Sequence, residues 1–186
     1  MLRFLQLLKE TAMRTGEANR LEWSNIDFER RLITLNKPEK NSQARIFKVS
    51  STLISMLKAL PKTHKQVFIS SLESRKSTFY HTRKVAVRKL QSPRLLHISF
   101  HTFRHWKATM LYHKTKDILY VKEFLGHKKI DNTLLYIQLE RALFDETTDE
   151  FTVKVAKKPG DIKALLEVGF EYICQKDDLR FFCKRK

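Results

Sequence analysis

Cysteine is scarce in this chain: Cys174 and Cys183 are the only two in 186 residues. Two thiols do not make a disulfide framework, so a reduced, cytoplasmic setting is expected. No run of about 18 apolar residues occurs, which argues against a helical membrane span or a membrane partner. The opening "MLRFLQLLKE" is too short, and charged too early, for a signal peptide. With four glycines and four prolines, the chain has no low-complexity linker, and no internal repeat is visible. Acidic residues are also few. Twenty Asp+Glu face 37 Lys+Arg, for a formal net charge of +17 and a pI near 10. A surplus of that size attracts polyanions, of which nucleic acid is the usual one.

The chain does carry enough apolar residues, 42%, to build a core, which excludes global disorder. "LRFLQLLKETAM" has the stripe of a helix, interrupted at Arg14, Thr15 and Gly16, and "GEANRLEW" resumes as a short one. "IDFERRLITL" alternates like strands around a turn. "NKPEKNSQAR" reads as an exposed hairpin loop and "RIFKV" as the returning strand. Ser50 and Ser51 can cap the helix "TLISMLKAL" before Pro61. A basic helix is expected over 77–91, and three more over 101–113, 117–125 and 131–141, with Gly126 stopping the second. Beyond about residue 147 the pattern changes to a small β-α-β-β appendage, whose last two strands meet at Asp177-Asp178. The reading is thus α+β, mainly helical, in two parts, 1–147 and 148–186. The basic excess lies almost wholly in the first.

The stretch "HTFRHWKATM" holds the first chemical signal. Residues three apart share a helix face, so His101 and Arg104 point the same way, with His105 alongside. Phe103, Trp106 and Met110 form another stripe, expected to face the core. Guanidinium matches phosphate in a two-pronged fashion, and imidazole can donate a hydrogen bond or move a proton. Zinc fits poorly. His101 and His105 are four apart, but the hydrolytic motif wants a glutamate after the first histidine, where this chain has Thr102.

Three further features join this one. "ETAMRTGEANRL" sets Arg14 at a helix junction, three residues before Glu17. "NKPEKNSQARIFKV" sets lysines in an exposed turn. "FLGHKKIDNTLLYIQ" sets His127 after a glycine and Tyr136 nine residues later on a helix. The order Arg, Lys, His-x-x-Arg, His, Tyr resembles the catalytic domain of the tyrosine recombinases, the phage-integrase family. The likeness covers roughly residues 2–140 and, in the wording of "HTFRHWKATMLYHKTKDILYV", extends to archaeal integrases.

That resemblance implies a fold and a reaction: a helical catalytic fold with a small antiparallel sheet, cutting and rejoining DNA through a covalent 3′-phosphotyrosine. It implies that Arg14 and Arg104 hold the non-bridging phosphate oxygens, that His101 and His127 assist by hydrogen bonding and proton transfer, and that Tyr136 attacks. It implies that a loop lysine protonates the leaving 5′ oxygen. Counting eight residues back from the family's proline slot, occupied here by Lys48, gives Lys40, with Lys37 as the alternative. Glu17 is expected to support Arg14. Double-stranded DNA is the implied partner, met by Arg14, Lys40, Arg104, Lys107, Lys128 and Lys129. No metal or cofactor is implied, because the arginines supply the positive charge.

Each residue alone has a plainer reading. Arg14 can cap a helix, Lys40 can be a solvated loop lysine, His127 can satisfy a helix end, and Tyr136 can be a core tyrosine. Two short helices about Gly126 also mimic a helix-turn-helix, so a non-catalytic DNA-binding module is the alternative of a different class. A type IB topoisomerase-like strand transferase shares the same chemistry. Family members usually carry a separate DNA-clamping domain upstream, which is expected to be missing here, and act as homo-oligomers on DNA.

Overall fold

The computed structural model describes residues 1–40, 42–144, 151–176 and 178–185. The chain forms two compact units, Met1–Leu143 and Phe144–Lys186.

In the first unit, α1 (Leu2–Thr11) buries Phe4, Leu7, Leu8 and Thr11, the single face set by spacings of three and four. It ends where Ala12 turns left-handed, at φ 52. Arg14 then stands as the residue before α2 (Thr15–Asn19). A turn of tight helix, Trp23–Asn25, leads into an antiparallel sheet of β1 (Ile26–Asp27), β2 (Leu32–Leu35) and β3 (Arg45–Lys48), in that order. The pairing Leu35↔Arg45 closes the β2–β3 hairpin, so both candidate lysines lie in the loop that joins the strands.

The next helix, α3 (Ser51–Lys58), is capped by Ser50, whose hydroxyl accepts from the Leu53 amide at 3.1 Å. Helix α4 (Leu72–Leu90) is capped by Ser71, and a short tight helix, Pro93–His97, follows. Helix α5 (Phe100–Thr115) runs along α1. Asp117 caps α6 (Ile118–Leu125) by accepting from the Leu119 and Tyr120 amides, and Gly126 ends it at φ 70. Helix α7 (Asp131–Phe144) carries Tyr136.

The main core gathers α1, the sheet and α3 around Phe4, Leu7, Ile33, Phe47 and Leu53. A second apolar cluster joins Ala12, Ala108, Val121, Leu125 and Tyr136, which places the α1 end, α5, α6 and α7 around one point. Trp106 departs from the sequence expectation. It is 46% exposed, with the Lys9 ammonium 5.4 Å from its ring centre, because α5 turns Ala108 and Thr109 to the core instead.

The second unit holds β4 (Phe151–Ala156), α8 (Pro159–Glu167), β5 (Glu171–Lys176) and β6 (Leu179–Arg185), the expected β-α-β-β order. Its sheet is antiparallel with β6 central, β4-β6-β5, and its core is Ala156, Phe170 and Phe182 under Ile162 and Leu165. Cys174 is exposed and Cys183 half-buried, neither in a disulfide. Of the expected Asp177-Asp178 turn, Asp177 lies outside the described residues. Among the described residues, no helix is long and apolar enough to cross a membrane.

Candidate active site

The site begins at the break between α1 and α2. Glu17 is fully buried there and acts as an acceptor for three separate segments. Its Oε1 accepts from Arg14 Nη1 at 3.1 Å, the Glu39 amide at 3.0 Å and Arg45 Nη2 at 2.9 Å. Its Oε2 accepts from the Arg14 amide at 2.8 Å and Arg45 Nη2 at 2.9 Å. Burial pushes this carboxyl up. The Arg14 amide, the Arg45 charge and the Glu39 amide outweigh burial, and the net effect holds it below the ordinary carboxylate value. Arg14 Nη1 also reaches the hairpin loop, donating to Glu39 O at 3.2 Å and Ser42 Oγ at 2.7 Å.

Arg104, on α5, is buried at the other side of the same junction. Its Nη1 donates to Ala12 O at 2.6 Å, and its Nη2 to Leu125 O at 2.8 Å. Leu125 is the last residue of α6, so its carbonyl stands at the negative end of a helix. Arg45 Nη1 shares that carbonyl, at 2.5 Å. Burial first, and then the charges of Arg14 and Arg45, bring the Arg104 guanidinium down to about 10, which leaves it charged at neutral pH.

His127 follows the Gly126 turn. Its Nε2 lies 3.0 Å from Arg104 Nη2, and its Nδ1 3.0 Å from Thr133 Oγ1. A guanidinium only donates, so Nε2 accepts. Nδ1 then carries the ring proton and donates to Thr133, which is fully buried. The neutral form is enforced electrostatically. Burial, with Arg104, Arg14 and Arg45 nearby, lowers His127 to about 4. His101 is lowered too, by burial and then by His105, Arg104, Lys40 and Arg14.

Tyr136 is 2% exposed, and its hydroxyl lies 3.3 Å from His105 Nδ1. Burial raises its pKa, and Arg104 opposes the rise. His105 in turn stands edge-on to His101, 5.4 Å between ring centres. Tyr136, His105, His101 and Arg104 therefore form one group. Arg14, Lys40, Arg45 and Arg104 all act electrostatically on His101 or His127, while Glu17 is the carboxylate hydrogen-bonded among them. A partly dehydrated set of cations this close repels itself, and an anion relieves the repulsion.

The two candidate lysines separate. Lys40 is close enough to act on His101. Lys37 instead lines a hollow of about 230 Å³ with Glu17, Arg20, Glu22 and Gln66. Lys128 and Lys129 are exposed beside His127. Lys107 is half-buried against α6, its ammonium 5.7 Å from the centre of the Phe124 ring and attracted by Glu10. The sequence reading missed Arg45, Thr133 and the facing of His105 toward the tyrosine. Arg45 had one available signal: a buried Glu17 needs more than one cation.

The fold recurs in solved recombinases. The XerA recombinase crystal structure matches with a TM-score of 0.58 at 20% identity, covering 80% of this chain and 58% of that one. XerH bound to a palindromic difH substrate, in a post-cleavage complex, matches with 0.59 at 22%, covering 79% and 44%. The catalytic domain of bacteriophage HP1 integrase matches with 0.52 at 25%, covering 79% and 83%. Together these define a tyrosine recombinase catalytic fold. Residues 2–142 match the phage integrase family, and the chain belongs to that family. Tyrosine recombinase XerA of Pyrococcus horikoshii is 26% identical over 140 residues, 73% of this chain and 49% of that protein. Tyrosine recombinase XerD of Chlorobaculum tepidum is 29% identical over 161 residues, 79% of this chain and 51% of that protein. The chain thus spans about half the length of these curated relatives.

Proposed function

We propose that residues 1–147 act as the catalytic part of a site-specific DNA recombinase, breaking and rejoining strands through a 3′-phosphotyrosine. The observation that carries this reading is the convergence of Arg104 and His127 beside Tyr136 around the end of α6, with Arg14 near enough to act on both. In the proposed reaction, Arg14 and Arg104 bind the non-bridging oxygens of the scissile phosphate. These guanidiniums stabilise the charge that grows as phosphorus becomes pentacoordinate. The phosphate also opposes the field that keeps His127 neutral, and so favours its protonated, donating form.

Tyr136 Oη gives up its proton, with His105 Nδ1 as the nearest acceptor and His101 beyond it. The oxygen bonds to phosphorus, and the bond from phosphorus to the 5′ oxygen breaks. The leaving oxygen takes a proton from the Lys40 ammonium. Rejoining is the reverse, with the 5′ hydroxyl attacking the phosphotyrosine. Charge stabilisation rests on arginine side chains and the reaction consumes no cofactor.

The proposed partner is double-stranded DNA, bound by the protein as a homo-oligomer. It is supported by the basic excess and by the DNA-bound state of the XerH relative. A cytoplasmic setting belongs to the same proposal. The test is a duplex nicked beside its cleavage site, so that the cut fragment diffuses away and the adduct is trapped. Wild type is expected to form a covalent protein–DNA adduct, and Tyr136→Phe none while still shifting the duplex on a gel. An adduct that persists in Tyr136→Phe contradicts the proposal. So does binding without any adduct in wild type, which favours a non-catalytic module.

A further inference from the structure

We propose that Arg45 is a positioning residue that holds the Lys40 loop and the His127 turn in register. This inference rests on the reading of Lys40 as the acid. Arg45 opens β3 with its side chain turned inward, 4% exposed. Its two terminal nitrogens divide their work. Nη2 donates to both oxygens of Glu17, and Nη1 donates to Leu125 O. One guanidinium thus links α2 to the end of α6. No ammonium can reproduce that planar two-way reach from a single point.

The loop that bears Lys40 is fastened on both sides through the same groups. Before it, the Glu39 amide donates to Glu17 Oε1 at 3.0 Å, and Glu39 O accepts from Arg14. After it, Ser42 Oγ accepts from Arg14, and the Gln43 amide donates to Gly126 O at 3.3 Å. Between these ties Lys40 takes a left-handed backbone, φ 53, which is uncommon for a non-glycine residue. The His127 turn is fitted to the same side chain. A Cβ on Gly126 would fall 2.9 Å from both Cδ and Nε of Arg45. Lys40 and His127 therefore sit in two segments tied to each other directly, by Gln43, and through Arg45.

A buried ion pair that only stabilises the fold would slow the reaction whatever the leaving group. A pair that aims the acid would not. The test compares two nicked duplexes, one normal and one with sulfur in place of the 5′ bridging oxygen. A thiolate departs without a proton, so the sulfur substrate bypasses the acid. Single-turnover adduct formation is followed for wild type, Lys40→Ala, Arg45→Lys and Arg45→Gln. Lys40→Ala is expected to lose ~10²-fold or more on oxygen, within the usual range for a general acid, and to recover on sulfur. Arg45→Lys is expected to lose roughly tenfold or more on oxygen and also to recover on sulfur.

If Lys40→Ala does not recover, the assignment of the acid fails. If Lys40→Ala recovers and the Arg45 variants do not, or if the Arg45 variants cleave the oxygen substrate at the wild-type rate, the Arg45 proposal fails. A second measurement needs no catalysis. Amide hydrogen exchange in folded Arg45→Lys is expected to speed up at Glu39 and Gln43 and to stay unchanged at the β2–β3 pair Ile33↔Phe47. Unchanged exchange at Glu39 and Gln43 overturns the proposal even if no adduct is seen.

Discussion

Glu17 accepts five hydrogen bonds while fully excluded from water, and two of them come from a guanidinium that is itself buried. Such a pair is strongly destabilised when one partner alone is removed, by about 3–5 kcal/mol, because the other charge is left buried without compensation. Glu17→Gln is accordingly expected to lower the unfolding free energy by about that amount in urea titration. The acid side of the stability curve follows from the same site. His127 has a folded pKa of about 4 against an ordinary 6.5, so the unfolded chain takes up the proton first. Stability therefore falls as pH drops from 6.5 toward 4. Glu17 is depressed below its ordinary 4.5, so its contribution is present above that pH and is lost as pH falls toward the folded value. Melting temperature measured from pH 7 to 4 is expected to decline, and His127→Gln is expected to flatten the part above pH 4.5. Arg45 escaped the sequence reading because a strand with one buried face favours apolar residues inward. In β3 the order is inverted at one position: Arg45 is buried and Ile46 is 66% exposed. The Glu17 carboxylate, 28 residues away in sequence, is what draws Arg45 in.

The elements were legible where local chemistry decides them. Ser50 caps α3 and Gly126 ends α6, both visible as residue types at the right offsets. Helix α4 was read short, from residue 77, because "LESRKS" has no apolar stripe. Its first turns are held by a contact that periodicity does not register: Arg75 lies 4.9 Å from the Phe4 ring centre, with Nε donating to Asn19 at 2.8 Å. Trp106 was misplaced for the opposite reason, since a large aromatic on a helical stripe suggests core while its ring here lies under Lys9. The order of Arg14, Lys40, His101, Arg104, His127 and Tyr136 was readable, but the ties among their segments run through backbone carbonyls of Ala12, Leu125 and Gly126, which no residue identity encodes. The Gly126 turn is the element most sensitive to change. Alanine there meets a left-handed backbone, costing about 1–2 kcal/mol, and a clash with Arg45 in addition. Gly126→Ala is expected to unfold at lower urea than Gly160→Ala, whose added Cβ meets nothing within 4 Å.

The basic charge is unevenly spread along the chain. Residues 74–116 contain eleven Lys and Arg and no Asp or Glu, and they include α4 and α5. Exposed lysines and arginines bind phosphate backbones by releasing counterions, with the logarithm of affinity falling by about 0.9 per decade of salt for each contact. Lys128→Gln with Lys129→Gln is expected to reduce the salt slope of duplex binding by roughly 1–2, measured by fluorescence anisotropy, if both lysines flanking His127 meet phosphates. The second unit adds little net charge, and its β-α-β-β pattern is readable because Pro159 and Gly169 bound the helix between its strands. The covalent link to DNA is expected at one phenol. Five tyrosines occur in the chain, and Tyr120 is far more exposed than Tyr136. Protease digestion of the trapped protein–DNA adduct, followed by mass spectrometry, locates the nucleotide directly. A phosphodiester remnant is expected on Tyr136, in the peptide from α7. A remnant on Tyr112 or Tyr120 instead, or on any serine, would contradict it.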